Sequence, residues 1–210
     1  MTASELGALA LPVLGRVLEL APIRESGPPD EHGRVWRQVL RTGDALPDVP
    51  PLGENDVTGF EEIVTASTHY GCHLDSLGHR IVDGMAAGTP YAEFYANDGL
   101  TALGAELLHP VLTRGIMLDR DVHPGDVHPG DAVLIRGGVT PGLVDELRAR
   151  GAALIGLDVP GCDLDLSLPV ISNLLLDELA DAATGPFLFV AAPIRGSGST
   201  GAPVSPLAIL

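Results

Sequence analysis

Apolar residues along this 210-residue chain fall into short blocks rather than long helical stripes. Residues 60–66 (Phe60-Glu61-Glu62-Ile63-Val64-Thr65-Ala66), 114–119, 131–136, 153–158 and 187–192 are brief runs rich in Val, Ile, Leu and Phe. Each predicts a strand. The run at 153–158 is almost wholly apolar, as in a strand buried on both faces. Residues 35–40 predict one more short strand. Helical signals are fewer. Thr140 as N-cap and Pro141 at the first position open a helix that runs through Val144, Leu147 and Ala149 and stops at Gly151. Residues 171–183 predict a second helix, and residues 103–108 a short one ended by His109-Pro110. Strand 131–136, helix and strand 153–158 together predict a crossover unit with parallel strands.

The remaining segments are polar or interrupted. Residues 6–20 fit a helix or a strand–turn–strand unit, with Pro12 favouring an interruption. Residues 24–30 and 44–55 are rich in Pro, Gly and Asp and predict loops, the second long enough to serve as a lid. A turn is expected at Asp83-Gly84. Residues 89–97 carry Tyr91, Phe94 and Tyr95, placed either to cover a ligand or to pack as a surface loop. Residues 121–125 and 126–130 repeat Asp-Val-His-Pro-Gly. Each copy predicts a tight turn, with His123 and His128 exposed rather than ligating a metal. The Gly/Ser stretch at 196–201 precedes no helix, so a phosphate cradle is not expected. No linker divides the chain, which predicts a single domain over residues 1–210.

Composition narrows the function. Apolar residues make up 45% of the chain and aromatics 4%, so the core is aliphatic. The net charge is −16, and the twelve basic residues are all Arg. That balance argues against nucleic acid and against an anionic membrane surface, and leaves a small molecule as the expected partner. Cys72 and Cys162 are too few for a disulfide framework and form no zinc-type pair, which predicts free thiols in a reducing compartment. Residues 6–20 lack a basic leading region and a small-residue cleavage site, and no run reaches membrane-spanning length. A cytoplasmic location is the expectation.

One stretch concentrates the chemistry. His69, His73 and His79 lie within eleven residues, with Asp75 among them. Two imidazoles and a carboxylate suit Zn²⁺ or Mn²⁺. Gly71 lets the chain curl so that the His69 and His73 rings meet. On an extended segment His73 and Asp75 share a face. Three protein ligands with open positions is the layout of a catalytic rather than a structural site. His79 is then either a fourth ligand or a general base. Tyr70, Cys72, Ser172, Tyr91, Phe94 and Tyr95 are the candidates for contact with substrate.

His69-x-Gly71-x-His73-x-Asp75-x-x-x-His79 resembles the HxGTHxDxPxH motif of the cyclase superfamily, which includes bacterial kynurenine formamidases and isatin hydrolases. Ser76-Leu77-Gly78-His79 with Asp83-Gly84, the runs at 114–119, 129–134 and 154–158, and Gly201-Ala202-Pro203-Val204 also resemble it. The resemblance covers residues 58–210; residues 1–57 are divergent. It implies an α/β fold of the swivelling β/β/α type, with a mixed central sheet flanked by helices, in a homo-oligomer, dimer or tetramer. It also implies that His69, His73 and Asp75 hold a divalent metal and that His79 is the catalytic base. Cys72 stands in place of the motif's Thr and Leu77 in place of its Pro. Ser172 precedes Asn173 where the family carries Glu, and no His follows His128. A complete second metal site is therefore not expected.

Three readings follow. The first is metal-dependent hydrolysis of an amide, lactam or lactone, as in an arylformamidase. The second is ring formation or rearrangement of a natural-product intermediate, such as a polyketide, without hydrolysis and with no required metal. The third is a non-catalytic metal-binding or scaffold protein.

Overall fold

The computed structural model describes residues 15–24, 35–42, 60–118, 124–159 and 168–210. Its strands in chain order are β1 (Val17–Glu19), β2 (Trp36–Thr42), β3 (Phe60–Thr65), β4 (His73–Asp75), β5 (Met85–Ala86), β6 (Thr89–Pro90), β7 (Tyr95–Ala96), β8 (Gly99–Leu100), β9 (Val111–Leu118), β10 (Ala132–Ile135), β11 (Leu154–Leu157), β12 (Val170–Ser172), β13 (Phe187–Ala191), β14 (Gly201–Pro203) and β15 (Leu207–Ile209). Its α-helices are α1 (Pro141–Ala149) and α2 (Asp177–Ala182). Strands β2 and β3 form a separate antiparallel ribbon, and β5–β6 and β7–β8 are two-residue hairpins. The other nine strands form one sheet in the order β1-β15-β13-β9-β10-β11-β12-β4-β14.

The centre of that sheet is parallel. Strand β10 pairs parallel with β9 and β11, and β11 pairs parallel with β12. The pairings toward both edges are antiparallel. Every residue of β10 and β11 is buried, as parallel strands covered on both faces require. Helix α1 makes the crossover between them, with the Thr140 side chain accepting a hydrogen bond from the Leu143 amide at its start.

Connectivity forces the sheet to curl. Strands β14 and β15 stand seven places apart in the order, about 34 Å across a flat sheet. Yet four Cα steps join Pro203 to Leu207, a reach of about 15 Å. The two flanks must therefore approach each other. The interior of the curl is one aliphatic cluster that includes Leu18, Leu74, Leu134, Ile171, Phe189 and Ala208. Gly156 belongs to this close-packed face: a Cβ there would lie 2.4 Å from Leu134 Cδ2 and 2.5 Å from Leu174 Cδ1. The opposite face, with Val133, Ile135, Ile155 and Leu157, packs on Val144 and Leu147 of α1.

Most of the expected strands are present, and so is the turn at Asp83-Gly84, where both residues have positive φ. Two expectations are corrected. Residues 171–183 do not form one helix. Strand β12 ends at Ser172, Asn173 takes a left-handed φ of 62°, and only Asp177–Ala182 is helical. The β-branched pair Val170-Ile171 fits a slot between β11 and β4, and that pairing overrides local helix propensity. The short helix expected at 103–108 is a single 3₁₀ turn, Ala105–Leu107. The loops at 25–30 and 44–55, most of residues 6–20, His123 and Cys162 lie outside the described residues. Among the described residues no helix is long and apolar enough to cross a membrane.

The second copy of the five-residue repeat has a structural partner just beyond it. Asp131 is buried and receives Arg114 through two hydrogen bonds, Nε to Oδ1 at 2.9 Å and Nη2 to Oδ2 at 2.7 Å. The His128 amide donates to the same Oδ2 at 2.7 Å, and Arg114 also donates to the Asp126 carbonyl. The turn is thereby tied to β9, and the side chain of His128 stays exposed. Asp131→Ala is expected to cost about 3 kcal/mol of unfolding free energy, because it leaves a partly buried guanidinium and an amide unmatched. Glu146→Ala, which removes an exposed i,i+4 pair with Arg150, is expected to cost about 0.5 kcal/mol. Urea unfolding of the two variants checks the difference.

Candidate metal centre

Strand β3 leads directly into the cluster. After Thr65 the chain turns: the Ser67 hydroxyl accepts from the His69 amide and the Ser67 carbonyl from the Tyr70 amide. Gly71 follows with φ 69°, a left-handed residue that turns the chain into β4. In β4 the two-residue period separates two faces. Leu74 packs into the aliphatic interior, while His73 and Asp75 share the other face, and all three residues are buried. Strands β12 and β14 flank β4, with Ser172 and Pro203 opposite His73 and Gly201 opposite Asp75.

Three imidazoles converge on one carboxylate oxygen. Asp75 Oδ1 lies 3.6 Å from His69 Nε2, 3.5 Å from His73 Nε2 and 3.9 Å from His79 Nε2. The His69 ring stacks on that of His79 at 4.1 Å and meets that of His73 edge-on at 5.1 Å. Ligand atoms of His69, Asp75 and His79 all lie within 4.8 Å of one another. Two of the rings are anchored from behind. His73 Nδ1 is 2.8 Å from the Gly71 carbonyl, so it donates and leaves Nε2 with a free lone pair. The same carbonyl accepts from Asn173 Nδ2 at 3.0 Å. His69 Nδ1 lies 3.3 Å from the Thr68 hydroxyl. The His79 side chain is the most open of the three, with about a third of it accessible.

Burial sets the electrostatics. It pushes His69 down to about 4; the neighbouring His79 and His73 add to the effect, while Asp75 and the Thr200 backbone oppose it. His79 is lowered for the same first reason, with Arg80 and His73 contributing. Asp75 is raised by burial, against the pull of His73, His69 and Arg80. At neutral pH the His69 and His79 rings are therefore uncharged and can offer lone pairs. His69 Nε2 and Asp75 Oδ1 are buried without a well-formed hydrogen bond. Such orphaned atoms are costly unless something satisfies them. Borderline imidazole nitrogens and a hard carboxylate oxygen facing one point are a donor set that suits Zn²⁺ or Mn²⁺. The residues present fit such an ion.

The other sequence candidates are placed as follows. Ser172 is fully buried beside His73 in the register, and its hydroxyl makes no hydrogen bond. Tyr70 is half-buried in the turn before Gly71. Cys72, two residues before Leu74, shares its face and packs in the aliphatic interior, where burial pushes its thiol up to about 12. Tyr91 stacks on Tyr95 at 5.2 Å and meets Phe94 edge-on at 5.3 Å. Phe94 and Tyr91 pack with Ala86, Leu100 and Leu103 in a satellite cluster. A cavity of about 560 Å³ opens beside Asp75, lined also by Ser76, Leu77, Arg80 and Val170; none of these three aromatics lines it. Sequence reasoning named Asn173 and Gly201 only within the family resemblance, with no role at the site, and did not single out Arg80. The non-glycine left-handed φ of Asn173 and the close approach of Gly201 have no local signature. Arg80, the basic residue next to His79, could have been noticed.

The fold is similar to that of solved cyclases and isatin hydrolases. A crystal structure of a novel cyclase superposes with a TM-score of 0.80 at 19% identity, covering 100% of this chain and 94% of that one. An isatin hydrolase bound to the product analogue thioisatinate gives 0.65 at 15% identity, covering 100% and 99%. A predicted metal-dependent hydrolase from Bacillus stearothermophilus gives 0.57 at 18% identity, covering 92% and 97%. At these identities the likeness concerns the fold. No family model and no curated protein matches the chain.

Two outcomes are expected at this centre. A Cβ on Gly201 would lie 2.6 Å from His69 Nε2. Gly201→Ala should therefore displace that ring and lower affinity for Zn²⁺ or Mn²⁺ at least tenfold by calorimetric titration, with an unchanged far-ultraviolet circular dichroism spectrum. The second concerns pH. The folded value of His69 lies below its ordinary 6.5, so the unfolded chain takes up this proton first as pH falls. The contribution of His69 to the stability of metal-free protein is intact above pH 6.5 and is lost between 6.5 and about 4. Urea unfolding at pH 7 and pH 5 should show a smaller loss for His69→Gln than for the parent chain.

Proposed function

We propose that this chain is a cyclase-superfamily enzyme that hydrolyses an amide, lactam or lactone bond of a small carbonyl compound. The observation that supports this best is the convergence of three imidazole Nε2 atoms on the buried, unsatisfied Oδ1 of Asp75. His69, His73 and Asp75 would hold one Zn²⁺ or Mn²⁺. A divalent ion held there supplies Lewis-acid polarisation of the scissile carbonyl.

The chain's own residues do the rest. The Gly71 carbonyl and the Thr68 hydroxyl fix the His73 and His69 rings from behind, so both Nε2 atoms face Asp75. His79 lacks that anchoring role and is more open, which suits a group that must meet substrate and solvent. Uncharged at neutral pH, its Nε2 takes a proton from the attacking water and later delivers one to the leaving nitrogen or oxygen. The cavity beside Asp75 holds the substrate, with Arg80 and Asp83 set among its aliphatic side chains.

A second reading, ring closure without hydrolysis, is favoured by one observation. Ser172, neutral and fully buried, stands opposite His73 where the family resemblance puts a carboxylate. Asp75 is then the one carboxylate beside His69, His73 and His79 among the described residues, and the imidazoles would act as proton donors and acceptors alone.

Metal analysis and one variant separate these readings. Purified protein reloaded with Zn²⁺ or Mn²⁺ is expected to bind about one ion per chain. His79→Ala should keep that ion and lose at least a hundredfold in turnover of an aryl formamide or lactone. Loss of the ion together with activity makes His79 a ligand. Failure to bind any ion after reloading, with no hydrolysis of either substrate, favours the ring-closing reading.

A further inference from the structure

The cavity beside Asp75 has a neighbour. A second chamber of about 280 Å³ is lined by Leu74, Leu103, Leu107, Val111 and Leu154, so its walls are almost wholly aliphatic. The two chambers share Leu77, Leu108 and Pro169 as a common wall. Polar groups are distributed unequally between them. The first contains Asp75, Arg80 and Asp83, and the second has His109 as its one ionisable side chain among the described residues. Several apolar side chains on these walls are unusually open: Leu77 is 56% exposed, Leu107 54% and Val82 48%. Large aliphatic side chains left accessible around a cavity that reaches a buried polar cluster mark a binding surface for an apolar group.

We propose that the two chambers together take an amphipathic carbonyl compound. Its polar end meets Asp75 and Arg80, and an apolar arm passes Leu77 and Leu108 into the second chamber. The orientation of the arm rests on the catalytic reading given above; the existence of the arm's site does not. Size supports the class. The first chamber alone accommodates a single-ring carbonyl compound, and the second adds half as much space again, with His109 the one polar side chain in its walls among the described residues. Arg80 can direct donors at a carbonyl oxygen while keeping its other contacts, because a guanidinium carries five N–H groups. The shared wall makes Leu77 and Leu108 the specificity-determining residues for arm length.

The test is a binding series of straight-chain primary amides, from butanamide to decanamide, measured by calorimetry on metal-free and Zn²⁺-loaded protein. Affinity should rise about three- to fourfold per methylene until the second chamber is full. Leu107→Trp should make the rise stop at a shorter chain, as should Ala153→Phe at a second exposed position on the same wall. Two variants guard against misfolding of either one. Arg80→Gln should weaken the whole series by a similar factor without changing its slope. Flat affinity across the series overturns the proposal, and so does a slope that neither Leu107→Trp nor Ala153→Phe shortens. Failure of the catalytic reading looks different: the slope and its truncation persist on metal-free protein while no amide or lactone is turned over.

Discussion

The short link from Pro203 to Leu207 controls more of this molecule than any single contact. It draws together strands that lie seven places apart in the sheet, and the curl that results encloses the aliphatic cluster around Phe189 and Leu134. The same closure seats β14 against β4, which puts Gly201 opposite Asp75 and against the His69 ring. Without that approach the His69 loop would have no wall behind it. The Ser76 amide reaches the Thr200 carbonyl at 2.9 Å, and the Val204 amide reaches the Cys72 carbonyl at 3.2 Å, so the centre is bracketed on both sides by the returning C-terminal segment. Sheet topology and site geometry are one constraint seen at two scales.

Within that frame the electrostatics are unbalanced in an informative way. Burial pushes Asp75 toward its neutral acid and His69 and His79 toward neutral bases. Each group is moved away from its charged form, yet the two imidazoles face the carboxylate at 3.6 and 3.9 Å. A cluster selected for stability alone would pair charges or be replaced by aliphatic residues, since partly satisfied buried networks are worse than an apolar core. The contrast with Asp131 is instructive. That carboxylate is also buried, but Arg114 and the His128 amide satisfy both its oxygens. One buried aspartate is finished as a structural element. The other is left open toward a cavity.

Much of this was legible in the chain. The parallel centre follows from the apolar runs at 132–135 and 154–157 and the Thr140-Pro141 helix start between them, because patterns buried on both faces are local properties. The His69–His79 spacing located the centre for a similar reason: Gly71 and the two-residue period act over a few residues. What was not legible depends on distant partners. Residues 170–172 adopt a strand because β11 and β4 offer a slot between them, and no local signal announces that slot. Cys72 sits inside rather than beside the imidazoles because it shares the parity of Leu74, and which face of β4 meets the interior depends on the distant residues packed there. Tyr91, Phe94 and Tyr95 cluster with one another, a pairing that composition alone could not distinguish from a ligand cover.

Distances to Asp75 do not separate the three imidazoles, since all fall within 0.4 Å of one another. Anchoring does. His73 is fixed through the Gly71 carbonyl, which Asn173 also holds, and His69 is fixed by Thr68 in front of it in sequence and Gly201 behind it in space. Rings clamped in this way lose the freedom to follow a moving proton but keep a lone pair aimed at one point, which is what holding a cation demands. His79 is carried on the turn after Ser76 and positioned by stacking on His69, with more of its surface open. A base must exchange protons with water between turnovers, so accessibility is a requirement for that role and a liability for a ligand. The three chemically identical side chains thus differ in what stands behind each ring rather than in how far each ring is from Asp75.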